Sequence, residues 1–225
     1  MKLKDLLWII GILSFSMILV IPDSRIIFNE LTTEYPYLMA FMKTAYLATM
    51  GELLVHRMKN GSYCMGKKIW MKFFVWGLLG MVFVFIFKIF SAGVIAAQNS
   101  QLLPSIEGTG FLAVLLTAFL TSLVMNLFFA PTFMFLHQIT DGYIDQSKGS
   151  LKALFHIPIS KIIENIDIKR FIAFIVFKTI PFFWIPAHTI TFLLPENYRI
   201  LMAAYLSIAL GILLTLSKQR RQSNQ

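Results

Sequence analysis

Six apolar runs separated by short polar connectors make up most of this chain, and they define its elements. The runs cover 6–21, 37–55, 69–90, 111–136, 171–194 and 200–216, and each reads as one membrane-crossing helix. A hydrocarbon core about 30 Å thick needs roughly 20 apolar residues of helix. The first run is short by that standard, but its exit, Ile21-Pro22-Asp23, offers no small-residue cleavage site, so it reads as an uncleaved span and not a signal peptide. Pro36 opens the second run at the position where a missing N–H costs least, and Asn60-Gly61 closes it as a turn. The third is unbroken from Phe73 to Phe87. Ser91 to Gly110 reads as a polar loop containing Pro104.

The fourth run carries Pro131 near its end. His137 to Arg170 is the longest connector; its stretch from Leu151 to Ile166 mixes apolar and basic residues and is expected to lie on the membrane surface, interrupted at Pro158. Pro181 and Pro186 are expected to break the fifth run around Trp184, and Pro195 to Arg199 to form a tight turn before the sixth. There is no internal repeat and no linker. The expectation is an all-α integral membrane protein, one helical membrane domain over 1–225, forming a bundle of about six transmembrane helices.

Composition strengthens this reading. The chain is 57% hydrophobic and 14% charged, with a mean hydropathy of +0.72. Soluble domains carry about 25% charged residues. The net charge of +9 does not point to nucleic acid, because it follows the connectors and forms no aromatic-interleaved groove. Fifteen of the twenty Lys and Arg residues fall in four stretches: Lys2 and Lys4; Arg57, Lys59, Lys67, Lys68 and Lys72; Lys148, Lys152, Lys161, Lys169 and Arg170; and Lys218, Arg220 and Arg221. The connectors between them hold only Arg25 and Arg199. Basic clusters stay on the cytoplasmic side, so both termini are expected there. Anionic lipids are the expected partners of that face, at roughly 1 kcal/mol per basic residue. The expected location is the cell's cytoplasmic membrane, with an organelle inner membrane as the alternative, and a homo-oligomer is compatible with the pattern. The single cysteine, Cys64, excludes an internal disulfide and any multi-cysteine metal site.

Polar residues within the runs are the candidates for chemistry, since a charge at a helix centre costs about 2.5–3.5 kcal/mol on insertion scales. Lys88 is near enough to a run's end to snorkel. Lys43 lies deeper, either snorkelling or facing the interior. Glu52 shares a helix face with His56, and a Glu52–Lys178 pair would neutralise two buried charges. Asn126 is either interhelical glue or part of a pore lining. His188, Thr189 and Thr191 form a polar patch in the proline-rich fifth run. The pairs Glu52/His56 and His137/Asp141 have the helical spacing of two metal ligands, too few for a site, and neither a metal nor a cofactor is expected. No nucleophile elbow, phosphate loop or dinucleotide fingerprint occurs.

Several of these positions together resemble the Mpv-seventeen family, also called the peroxisomal membrane protein twenty-two family. That family shows P-x14-G-D-x3-Q; Pro36, Gly51, Glu52 and His56 keep the spacing, with Glu for Asp and His for Gln. It also shows W-P-P-x-Q-x-x-N-F, then a Pro and x-x-Y-R. This chain has Trp184, Pro186, His188, Thr191 and Phe192, then Pro195, Tyr198 and Arg199. Phe129-Ala-Pro131, near Asn126, is similar to the family's apolar-Pro step, and Gly80 stands where the family has Gly-Pro. The resemblance implies a small helical protein of internal membranes, viewed as a channel or metabolite pore and usually drawn with four spans. The expected function is therefore channel-like or transporter-like passage of small polar solutes or ions, through Glu52, His56, Asn126, Lys178, His188 and Thr191. A substrate-binding subunit of a transport complex is the alternative, and a membrane enzyme ranks last.

Overall fold

A computed structural model describes residues 3–223, with side chains through Leu216. Lys2 lies outside the described residues, as do the side chains of Lys218, Arg220 and Arg221. The described chain is helical and has no strand: α1 Leu3–Val20, α2 Pro22–Glu34, α3 Pro36–Asn60, α4 Lys68–Asn99, α5 Phe111–Phe128, α6 Ala130–Ser147, α7 Leu151–Leu154, α8 Ile159–Glu164, α9 Ile168–Arg170, the π-helix π1 Phe171–Trp184, α10 Ile185–Leu193 and α11 Glu196–Ser223. Among the described residues, six helical segments are long and apolar enough to cross a membrane: Leu3–Val20, Pro36–Asn60, Lys68–Asn99, Phe111–Phe128, Ile168–Leu193 and Glu196–Leu216. Many large apolar side chains on them are exposed, among them Leu7, Phe74, Phe85, Phe119, Phe177 and Phe182. Such surfaces suit lipid, where exposed hydrocarbon carries no penalty.

The chain divides into two compact units, Met1–Met81 with Ile200–Gln225, and Val82–Arg199. In the first unit, α3 is the central helix. Pro36 occupies its first turn, and Gly61, at φ +71°, caps its end by donating its N–H to the Arg57 carbonyl. Small residues bring neighbouring helices close to it. A Cβ on Gly51 would lie 3.0 Å from Ile208, and one on Gly80 would overlap Thr44 and the Ala40 carbonyl. No residue of α1 is fully buried, so directional bonds tie it down: Trp8 Nε1 donates to Met50 O (2.8 Å), Tyr46 Oη to Gly11 O (2.9 Å), and Ser16 Oγ meets Tyr205 Oη at 2.6 Å. The connector between the first two runs, to which the sequence reading gave no element, is the helix α2. Pro22 starts it at a favoured position and Asp23 sits in its first turn, where the helix dipole favours an acid.

In the second unit, α5 packs on α10, and α6 packs on α7 and α8. Three expectations are corrected here. The polar loop does not begin at Ser91: α4 continues to Asn99, because Ala92, Ala96 and Ala97 are strong helix formers that outweigh the single Gly93, and no proline comes before Pro104. The fourth run is helical to 136 but not as one helix. It is interrupted at Phe129, and α6 starts at Ala130 with Pro131 in its first turn, where a residue without an N–H fits. The fifth run, conversely, is not broken by its prolines. Pro186 falls in the first turn of α10, and Pro181 is absorbed into the π-wound segment, where bonds reach five residues back, as in Ile185 N–H to Ile180 O. The turn at Pro195 is also shorter than expected, since α11 starts at Glu196 and Arg199 is already helical.

Candidate functional site

The richest polar arrangement is in the second unit. A cavity of about 580 Å³ is walled by the end of α4, the segment 105–109, the first half of α5, Phe192 of α10 and the first turn of α11. Its polar lining includes Ser91, Gln98, Thr117, Thr121, Glu196 and Arg199. Gln98 is 9% exposed and fully engaged, its Nε2 donating to Pro104 O (2.8 Å) and its Oε1 accepting from Thr117 Oγ1 (3.0 Å). It thereby pins the connector after α4 to α5. Arg199 donates from Nε to Leu194 O (2.9 Å), from Nη2 to Phe192 O (3.2 Å) and from Nη1 to Ser91 Oγ (3.4 Å), with its guanidinium 5.4 Å from the Phe192 ring centre. It satisfies carbonyls that the end of α10 leaves without helical partners. Glu196 receives Lys88 Nζ at 2.9 and 3.1 Å, so the expected snorkelling of Lys88 ends on a carboxylate.

Next to Thr121 on α5 begins a second polar cluster, its α5 members fully buried. Ser122 and Asn126 are 0% exposed. Ser122 Oγ donates to Ile185 O (2.7 Å), and Asn126 Nδ2 donates to Ser122 O (2.8 Å) and reaches His188 Nδ1 at 3.1 Å. The His188 ring stacks on Trp184 (5.0 Å) and meets Phe87 edge-on (5.8 Å), and Phe87 in turn touches the cavity-lining Phe192 (5.2 Å). The Trp184 indole N–H is buried and makes no hydrogen bond among the described residues. Asn126 and His188, two candidates from the sequence, thus come together. Thr191 does not join them: its hydroxyl, fully buried, donates to Ala187 O (2.9 Å) on its own helix. Lys178 is exposed on π1.

The other candidates belong to the first unit, except His137 and Asp141 on α6 of the second. The Glu52 carboxylate is met by Lys72 at 3.1 Å, a lysine that sequence reading grouped with the basic connector. The partner foreseen for Glu52 was Lys178. His56 shares the helix face with Glu52, yet its Nδ1 bonds Ser62 O (2.6 Å) and fastens the connector after α3. Lys43 faces inward: at 2% exposure it donates to Thr32 Oγ1 (2.8 Å) and sits 4.3 Å from the Phe28 ring centre on α2. Asp5 accepts from Arg57 and from Tyr63 (both 3.1 Å), which fixes the start of α1. Burial, and then the bond to Asp5, raises the Tyr63 phenol above its usual pKa, so it stays a neutral donor. His137 and Asp141 stand 3.6 Å apart. Cys64 is exposed.

Compared with known proteins, the chain matches no family model, no curated sequence and no solved structure. Sequence reasoning missed Gln98 and the cavity role of Arg199. The available signal was the helix-forming alanine stretch around Gln98, which carries it past the end of the apolar run.

Proposed function

We propose that this protein passes small polar solutes or ions across a membrane, channel-like or transporter-like, with the polar groups of Val82–Arg199 forming the solute site. The observation that carries this reading is the 580 Å³ cavity, mostly apolar in its lining, into which hydroxyls, amides, a carboxylate and a guanidinium are set, on helices whose composition suits lipid. Polar groups in spanning helices are expensive and mark solute paths or interhelical contacts. The adjoining Ser122–Asn126–His188 cluster accounts for the contacts; the cavity lining exceeds what contacts need. With the basic connectors and both termini in the cytoplasm, the cavity opens to the opposite face. The cytoplasmic membrane of a cell is the proposed location, and no catalytic residue enters this reading.

Because the lining is confined to 91–121 and 192–199, a second reading has support: a substrate-binding subunit that needs an energising partner. Kinship with the Mpv-seventeen family is also proposed. It is supported by the placement of the shared residues: Pro36 in the first turn of α3, Gly51 against Ile208, Pro186 starting α10, and Arg199 tying the Pro195 turn.

Flux of small polar solutes into proteoliposomes tests the proposal. We expect uptake by the wild-type chain, and its loss in Thr117→Val and Thr121→Val, both of which line the cavity. Uptake unchanged in both variants counts against the site; saturable binding without uptake, with co-purification of an ATPase, favours the subunit reading.

A further inference from the structure

The charges around the cavity define the class of solute. A guanidinium has five N–H donors. In Arg199 one N–H on each nitrogen is committed, to Leu194 O, Phe192 O and Ser91 Oγ. One N–H on each terminal nitrogen is left without a hydrogen bond among the described residues, and two is the number a carboxylate or phosphate takes in a bidentate pair. The three committed bonds and the Phe192 ring also hold the guanidinium in place, so little ordering is needed when an anion arrives. Glu196, the acid on the same turn, has its carboxylate held by Lys88. A second source of positive potential faces the same space. Ala113 and Val114 line it, and they belong to the first turn of the 18-residue α5, whose N-cap Gly110 supplies no side-chain oxygen to its N–H groups.

Resting on the solute-site reading above, we propose that this cavity binds a small oxyanion, a carboxylate or a phosphate, gripped by Arg199 and facing the open N-terminus of α5. Two sources can present that group, a water-soluble solute or a lipid headgroup, and the test separates them.

The full-length protein in phosphatidylcholine nanodiscs is titrated with acetate and with inorganic phosphate at constant ionic strength against chloride, and the thermal unfolding midpoint is read. A bound anion raises the midpoint in proportion to RT ln(1 + [L]/Kd). We expect a saturable rise with one or both oxyanions, weakened about ten-fold or more in Arg199→Lys, which keeps the charge but not the fork. Arg199 also ties backbone, so a second variant leaves it untouched. Ala113→Asp puts a carboxylate into the cavity at a helix position that favours acids, and it should abolish the rise. If replacing part of the phosphatidylcholine with phosphatidylglycerol removes the response to soluble anions, the headgroup is the occupant; if the response persists, it is the soluble solute. A response no larger than that to chloride overturns the proposal, as does one retained in both variants. Neutral-solute flux without anion binding sinks the anion site alone; anion binding without any flux sinks the transport reading alone.

Discussion

The two units solve the problem of packing helices in lipid in opposite ways. In the first, glycine does the work: Gly11, Gly51, Gly77, Gly80 and Gly211 each face a neighbouring side chain so closely that a Cβ would press into it or reach the limit of contact. In the second, only Gly142, against Ile162, is approached in this way among the described residues; Gly93, Gly108 and Gly110 have nothing within 4 Å of a built Cβ. There the helices are joined by Ser122, Asn126, Gln98 and Arg199 bonding across elements, and a cavity remains. The first unit keeps an open pocket of about 450 Å³ at the start of α1, beside Asp5, Arg57 and Tyr63 and away from its close glycine contacts. Under the function proposed above, the first unit would serve as scaffold and the second would hold the solute.

The sharpest way to break that contrast is Gly80→Val, which should destabilise the protein by about 3 kcal/mol through overpacking against Thr44 and Ala40. Chemical denaturation in detergent reads the loss, and a wild-type midpoint would end the scaffold assignment. Next is Glu52→Gln. It removes one carboxylate from Lys72, which is 7% exposed and engaged elsewhere as well, and should cost about 1–2 kcal/mol, since Glu52 is itself 22% exposed. A loss of about 3 kcal/mol or more in the same assay would mean that Glu52 is the cation's dominant partner. Asn126→Leu should cost only about 1 kcal/mol, the scale of an interhelical hydrogen bond in a membrane. It should leave uptake intact, because Asn126 does not line the cavity; lost uptake at so small a stability cost would extend the solute site into the buried cluster. Last, Gly93→Ala lies in open space on α4 and should stabilise by about 0.5–1 kcal/mol, the helix-propensity gain. A destabilised Gly93→Ala would show that the second unit also relies on close approach.

Much of the helical framework was legible from the residues. Six apolar runs became six segments of spanning length, and Gly61 capped α3 where Asn60-Gly61 signalled a turn. Element ends were less legible, because hydropathy reports where lipid stops and not where hydrogen bonding stops. Ser91 to Asn99 therefore looked like a loop, and Pro22 to Glu34 a connector, though both are helical. The π-winding of Phe171–Trp184 had no signal, since a segment apolar on every side gives no periodicity to distinguish one helix width from another. At the site, Asn126 and His188 stood out singly as polar residues in greasy runs. Their meeting depended on the rotation of α5 against α10, which no periodicity within one helix records. Glu52 was correctly marked as needing a cation, but several lysines were available and depth along the chain did not choose among them. Arg199 was hidden by being assigned to a turn.

Helix α4 carries a further consequence. Its 32 residues extend about 48 Å at 1.5 Å per residue, whereas the oily interior of a bilayer is only about 30 Å deep. Roughly three turns must therefore project from the oil, and Lys68 and Asn99 mark the two ends available to do so. If the Asn99 end takes its share, Gln98 and the rim it secures stand among headgroups and water. In the orientation and cell membrane proposed above, a membrane-impermeant thiol reagent added to intact cells would modify Asn99→Cys, and no labelling there would count against that orientation.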